Sequence, residues 1–131
     1  MITLAGGEQH WYKEGTNQLH RLDGPARITA IGDLYWYING VLHREDGPAK
    51  ETHKGGTSWY INGFLHRIGG PALIDDWGHT DWYEHGNLHR LDGPACISRD
   101  GEMLLWYVND KNVKCKTQEE FERLMKLKAF W

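Results

Sequence analysis

The sequence predicts an all-β fold: an elongated single sheet of about nine or ten short strands, built from β-hairpin repeats and ending in a C-terminal α-helical cap. Three observations predict it. The segment WYINGVLHREDGPA, residues 36 to 49, recurs with small edits from Trp11, Trp59 and Trp82. The chain of 131 residues holds 7 Trp, 6 Tyr and 16 Gly, a composition typical of strands and tight turns. A helical pattern begins only at Thr117.

The repeat has a fixed period of 23 residues, measured between the His-Arg pairs that begin at His20, His43, His66 and His89. The first copy carries extra residues in its EGTNQ segment, where a loop can lengthen without shifting the register. A half copy, MITLAGGEQ, precedes the array, and a broken fifth copy opens at Trp106. We therefore expect one domain, with a hairpin-repeat array over residues 1–116 and a capping helix over residues 117–131.

Each copy contains the signals of a hairpin with two turns. An aromatic strand such as Tyr35–Ile38 leads into Asn39-Gly40, a pair that suits a two-residue type I′ turn. The segment HREDGPA should then end the strand pairing, because Pro48 cannot donate a hydrogen bond and Gly47 is expected to adopt an unusual backbone conformation. A second turn is predicted at the equivalent glycines Gly32, Gly55, Gly78 and Gly101.

The C-terminal segment has the signals of an amphipathic helix. Thr117 and Glu120 form a capping box at its start. Its apolar residues fall mostly on one stripe: Phe121, Leu124, Met125 and Leu127. Because stacked hairpins leave an unpaired edge and an apolar end, we expect residues 117–130 to cover that end, with Trp131 beside them.

Charge and cysteine usage limit the function classes. The formal net charge of −3 argues against nucleic acid and anionic membranes as partners. Cys96 and Cys115 form no CxxC motif, which fits a reducing compartment, although a single bridge between them stays open. No signal peptide or membrane-spanning run is evident, so we expect a cytoplasmic protein.

The order of aromatic strand, Asn-Gly turn, short strand, His and Gly resembles the MORN repeat. This resemblance covers about Trp11 to Val113, although HREDGPA stands where MORN repeats have a His-Gly and a short polar link. It implies stacked hairpins in one sheet and a scaffold, dimerisation or membrane-platform role rather than catalysis. The pattern WYxNGxxHRxDGPA is also similar to repeats of uncharacterised bacteriophage and large DNA virus proteins, which implies a viral origin and action in the host cytoplasm.

The repeated polar residues have two interpretations, as a metal or acid–base site and as parts of the fold. One histidine per copy supplies too few ligands for a zinc ion, and residues that recur in every copy favour a structural role. We expect each histidine to bond a backbone carbonyl or an aspartate of its own turn, and each arginine to pair with an aspartate. The set is His20, His43, His66, His89, Arg21, Arg44, Arg67, Arg90, Asp23, Asp46 and Asp92.

The Trp-Tyr pairs also leave two alternatives. Adjacent strand residues face opposite sides, so a stripe containing Tyr37, Tyr60 and Tyr83 lies on one face. Such a stripe could bind a protein groove, a sugar or a single strand, or it could stiffen the sheet by cross-strand packing.

Residues that vary between copies are better candidates for specificity. Trp77 is the outlier, because the other copies have Ile31, Lys54 and Asp100 near that turn. Exposed beside Asp75 and Asp76, it would be a binding hot spot, whereas buried it would fill a gap between turns.

The resulting functional hypothesis is a non-enzymatic protein–protein interaction module, which by the viral resemblance would modulate or inhibit a host protein. We find no nucleophile in a catalytic setting, no phosphate-binding loop and no clustered metal ligands, so no cofactor or metal is expected. The alternative is a MORN-like membrane- or lipid-associated scaffold or a self-assembling protein, and an open sheet edge would allow a homodimer.

Overall fold

A computed structural model of the chain describes residues 1–127, in which short strands alternate with turns before a single helix, α1 (Gln118–Leu127). In chain order the strands are β1 (Ile2–Thr3), β2 (Gln9–His10), β3 (Arg27–Ile28), β4 (Leu34–Tyr35), β5 (Tyr37–Ile38), β6 (Val41–Leu42), β7 (Lys50–Glu51), β8 (Thr57–Ser58), β9 (Tyr60–Ile61), β10 (Phe64–Leu65), β11 (Leu73–Ile74), β12 (Thr80–Asp81), β13 (Tyr83–Glu84), β14 (Asn87–Leu88), β15 (Cys96–Ile97), β16 (Leu104–Val108) and β17 (Lys111–Val113).

The architecture is all-β with a helical cap, as the sequence predicts. One antiparallel sheet has 11 strands in the order β1-β2-β3-β4-β7-β8-β11-β12-β15-β16-β17, and the pairs β5-β6, β9-β10 and β13-β14 form three separate two-stranded hairpins. The hairpins separate from the main sheet at tryptophan. The N–H of Trp36 donates to the carbonyl of Ala49, just before β7 of the main sheet, whereas the Trp36 carbonyl accepts from the N–H of His43, just after hairpin strand β6.

The first turn has the predicted backbone in copies two, three and four. Asn39 and Gly40 have φ of 49° and 79°, the two positive values that a type I′ turn requires. Asn62 and His85 take the same conformation before their glycines, with φ of 50° and 51°. The second turn also has positive φ at its glycine, for example 97° at Gly32.

The sheet has two distinct faces because side chains alternate along each strand. The tyrosine face carries Tyr12, Tyr37, Tyr60, Tyr83 and Tyr107, together with the cross-strand row Ile2, His10, Arg27, Tyr35, Lys50, Ser58, Leu73, Asp81, Cys96 and Leu105. The tryptophan face carries Trp11, Trp36, Trp59, Trp82 and Trp106. The repeated tyrosines and the repeated tryptophans therefore lie on opposite faces of the sheet.

The array is held with little apolar core. Four alanines that follow the prolines, Ala26, Ala49, Ala72 and Ala95, are completely buried. The only large cluster in residues 1–127 lies at the C-terminal end, where Trp106 and Phe121 are 2% and 1% exposed and pack with Val108 and Val113. Helix α1 therefore covers that end of the sheet, as predicted.

The start of helix α1 is as predicted, but one residue of the predicted apolar stripe is not buried. The N–H of Glu120 donates to Thr117 Oγ1 over 3.1 Å, which is the predicted cap. Leu124 and Met125 pack against the cluster, whereas Leu127 is 51% exposed, so its predicted place on the buried stripe is wrong. The expected helical residues 128–130 and the packing of Trp131 lie outside the described residues.

Candidate functional site

The arginine of the His-Arg pair is built into the fold. In copy two, the Arg44 guanidinium lies 4.0 Å from the centre of the Trp36 ring. Its Nε donates to Asp46 over 3.1 Å and its Nη1 to the Pro48 carbonyl over 3.0 Å. Copies one and four repeat all three contacts. The predicted arginine–aspartate pairing is therefore present in these copies.

The glycine before each proline has a different purpose from the one predicted. Gly47 does not have a positive φ, so the expected unusual backbone is wrong. A Cβ at Gly47 would lie 2.8 Å from Cζ of Arg44, and the equivalent distance at Gly93 to Arg90 is 2.6 Å. The glycine is needed because any side chain would displace the guanidinium from its place over tryptophan.

The histidines join successive copies rather than bonding within their own turn. The backbone N–H of Asn39 donates to Nδ1 of His20 over 2.9 Å, and that of Asn62 donates to Nδ1 of His43 over 2.9 Å. His66 and His89 accept in the same way from the copies that follow them. The expected carbonyl or same-turn aspartate partner is thus replaced by a backbone donor 19 or 20 residues away.

The predicted tyrosine stripe exists, but its members are half-buried. Tyr37 pairs across its hairpin with Leu42, and Tyr83 pairs with Leu88. Burial raises the pKa of both the Tyr37 and the Tyr83 hydroxyls, although Arg27 opposes the rise at Tyr37. These contacts favour cross-strand packing as the main role of the stripe, which includes Tyr60 on Leu65.

Trp77 lies at the tip of the second turn of copy three with 66% of its surface exposed. Its turn is nevertheless fixed. Asp75 Oδ1 accepts from the N–H groups of Trp77 and His79 over 2.9 and 3.0 Å, and Asp75 Oδ2 lies 2.8 Å from His79 Nδ1. Burial alone would raise the pKa of Asp75, but the bonds from His79 and Trp77 hold it below its ordinary value.

Asp76 is also engaged, since its carboxylate accepts from the Thr52 hydroxyl of the preceding copy. Of the three residues predicted to form a binding site at this turn, Asp75 and Asp76 therefore make hydrogen bonds within the protein. Only the Trp77 indole projects outward. We call the segment Asp75–His79 the Trp77 turn.

A cavity of about 430 Å³ adjoins the Trp77 turn. Its walls come from the turn and from the end of copy four: Asp75, His79, Asp81, Cys96, Ile97, Ser98, Met103 and Leu105. Met103 is 64% exposed at its rim. The sequence alone does not reveal this cavity, because its walls come from segments about 25 residues apart that only the register of the sheet brings together.

The two cysteines are both free thiols, which closes the question of a bridge between them. Burial, with the charge and hydrogen bond of Asp81, raises the pKa of Cys96 to about 12. The Cys96 thiol in the cavity wall therefore stays protonated near neutral pH, and a protonated thiol is a poor nucleophile.

The described part of the chain contains neither a metal-binding cluster nor a membrane-spanning helix. Residues 1–127 contain no group of three or more His, Cys, Asp or Glu side chains arranged to hold a metal ion. The one described helix is too short and too polar to cross a bilayer.

Comparison with known proteins gave no relatives. No family model matches the chain, and neither the curated proteins nor the solved structures contain a match.

Proposed function

We propose that this chain is a non-enzymatic protein-binding module that contacts its partner through the Trp77 turn. The observation that carries the proposal is an indole that is 66% exposed on a turn held by three contacts to Asp75. Tryptophan is enriched among residues that dominate binding energy. A turn that is already ordered loses little conformational freedom when a partner binds.

The neighbouring cavity supports the same assignment. Ile97, Met103 and Leu105 give it apolar walls beside the exposed indole, so a partner's apolar side chain can enter it while the partner's backbone crosses the Trp77 turn. Protein interfaces commonly combine an aromatic anchor with a pocket that takes a side chain from the other side.

The absence of enzymatic function is proposed on the same geometry. The histidines, arginines and aspartates that could act in catalysis are mostly engaged in contacts within the sheet. We extend the proposal to a viral accessory protein that occupies a host protein, supported only by the similarity of the WYxNGxxHRxDGPA pattern to repeats of viral proteins.

The test compares wild type with Trp77→Ala and with Ile31→Ala. Ile31 is the matched control because it occupies the equivalent turn of copy one and is 64% exposed. Affinity capture from lysate of the cells where the protein acts identifies candidates, and calorimetry with the purified partner then gives the dissociation constant. We expect Trp77→Ala to weaken binding about thirtyfold, whereas Ile31→Ala leaves it within about twofold.

Circular dichroism must show that both variants fold like wild type. Equal binding by Trp77→Ala and wild type would contradict the assignment of the Trp77 turn. A folded wild-type protein that retains no stoichiometric partner would contradict the proposed function itself.

A further inference from the structure

Copy three lacks the arginine–aspartate pair that the other full copies have. The Nε of Arg21, Arg44 and Arg90 each donates to an aspartate two residues later, over 3.0, 3.1 and 2.8 Å. In copy three that aspartate is replaced by Gly69, which has a φ of 82°. Within residues 1–127, Arg67 forms no ion pair, although the three equivalent arginines do.

The rest of the arginine site is intact in copy three. The Arg67 guanidinium lies 4.0 Å from the centre of the Trp59 ring, and its Nη1 donates to the Pro71 carbonyl over 3.1 Å. A Cβ at Gly70 would lie 2.8 Å from Cζ of Arg67, the same distance as at Gly47 in copy two. The guanidinium is therefore held as in the other copies, with its Nε edge left open.

Copy two has a second carboxylate near its arginine, and copy three lacks that carboxylate as well. In copy two, the Glu51 carboxylate lies 3.7 Å from Nη1 of Arg44 and forms a second ion pair with it. The equivalent position in copy three is Ile74, on β11. A half-buried guanidinium held on an aromatic ring thus lacks both of the counter-charges that Arg44 has.

We propose that the Nε edge of Arg67 binds a carboxylate side chain, Asp or Glu, presented by a partner protein. A carboxylate is the matching ligand because an aspartate fills the same edge in three copies of the same scaffold. Both groups carry charge, and the guanidinium is already oriented, so a carboxylate can bond to it without first ordering the arginine side chain.

The surroundings indicate that the carboxylate comes from a protein segment with apolar neighbours. Ile68, next to Arg67, is 70% exposed, and Leu91, the equivalent residue in the next copy, is 54% exposed. An acidic residue flanked by apolar residues would contact both features. This carboxylate site lies on the tryptophan face and does not depend on the Trp77 turn, so either surface can fail its test alone.

The test follows the arginine side chains directly by NMR. The full chain is labelled with ¹⁵N, and single Arg→Lys variants assign the Nε–H signals of Arg21, Arg44, Arg67 and Arg90. The probe is N-acetyl-aspartate methylamide, which carries one side-chain carboxylate, and the neutral control is N-acetyl-asparagine methylamide. We expect the Arg67 signal to shift and saturate, with an affinity about tenfold higher for the carboxylate than for the amide.

Two variants extend the test by moving the site. Gly69→Asp should restore the internal pair and abolish the Arg67 response, because aspartate is among the residues that tolerate positive φ. Asp92→Gly should create a new response at Arg90. Copy four, like copy three, has an isoleucine (Ile97, equivalent to Ile74) where copy two has the second carboxylate, Glu51. Backbone spectra identify the folded variants, and wild type alone already decides the main outcome.

Three results would overturn the proposal. Arg67 could fail to shift in folded wild type, or all four signals could shift alike, which would mean a general charge effect. Inorganic phosphate, added as a separate probe, could move Arg67 as strongly as the carboxylate does, which would remove the assignment to an acidic side chain.

Discussion

At the residue scale, the histidine of each His-Arg pair forms a hydrogen bond that links one copy to the next. Four histidine Nδ1 atoms accept backbone N–H groups over 2.9, 2.9, 2.9 and 3.2 Å. A ring nitrogen that accepts carries no proton, so the proton of the neutral ring lies on Nε2. At His43 that nitrogen lies 3.6 Å from the Glu45 carboxylate, which favours the same tautomer.

This geometry predicts different outcomes for two substitutions of His43. In His43→Ala the N–H of Asn62 loses its acceptor, and we expect the free energy of unfolding to fall by about 1 kcal/mol. In His43→Asn the amide Oδ1 can take the place of Nδ1, so most of that loss should be avoided. Urea denaturation with equal slopes for the three proteins measures the difference. Equal losses in both variants would show that ring packing, rather than the hydrogen bond, is what the copy interface needs.

Single residues also show where inference from sequence ends. The turn at Asn39-Gly40 was predictable because its requirement for positive φ is local. The partner of His43 was not, because it depends on the stacking of copies, and the sequence does not encode that register locally. The exposure of Trp77 is not predictable from the sequence for the same reason, since the packing of the sheet decides whether a neighbouring turn covers the indole.

At the element scale, the second turns are stabilised by a side chain at the first position. Thr29 and Thr52 accept from the N–H group four residues later over 2.9 Å through their hydroxyls, and Asp75 does so through its carboxylate over 3.0 Å. Only the aspartate adds a charge, which it shares with His79. The Trp77 turn is therefore the one among these three whose first-position side chain carries a charge that acid removes.

We predict that Asp75→Asn lowers the melting temperature at pH 7 and that the gap from wild type closes in acid. The pKa of Asp75 is lower in the fold than its ordinary value, because the bonds from His79 and Trp77 outweigh burial. Its contribution to stability is therefore complete above the ordinary aspartate pKa of about 4 and disappears as the pH falls through the lower folded value. Asparagine keeps the Oδ1 acceptor for the two backbone N–H groups, so the variant removes the charge together with the contact from Oδ2 to His79 Nδ1.

Melting curves at pH 7, 5 and 2.5 follow this gap. Asp46→Asn is the control, because Asp46 is 89% exposed and an exposed ion pair adds little stability. A gap at Asp75 that widens as the pH falls would contradict the assignment of a stabilising carboxylate in the Trp77 turn.

At the scale of the whole molecule, stability is distributed unevenly along the array. The middle copies bury only an alanine completely in each repeat, whereas the C-terminal end buries Trp106 and Phe121 together. The repeated sequence made the sheet predictable, because every copy carries the same turn and strand signals. The repeat pattern predicts about nine or ten strands rather than 17, because it does not reveal that the chain leaves the main sheet at Trp36, Trp59 and Trp82 to form separate hairpins.

The helical cap should therefore control how unfolding begins. Phe121→Ala removes a side chain that is 1% exposed in the cluster with Trp106, and we expect it to cost about 3 to 4 kcal/mol. Because each repeat contacts mainly its neighbours, the loss should open the C-terminal copies before the others. Hydrogen exchange followed by mass spectrometry should show faster exchange in residues 104–127 than in residues 27–51. Leu127→Ala, on the same helix but 51% exposed, should change stability by less than about 0.5 kcal/mol. Uniform acceleration along the chain in Phe121→Ala would instead mean that the array unfolds as one cooperative unit, with the cap acting on every copy at once.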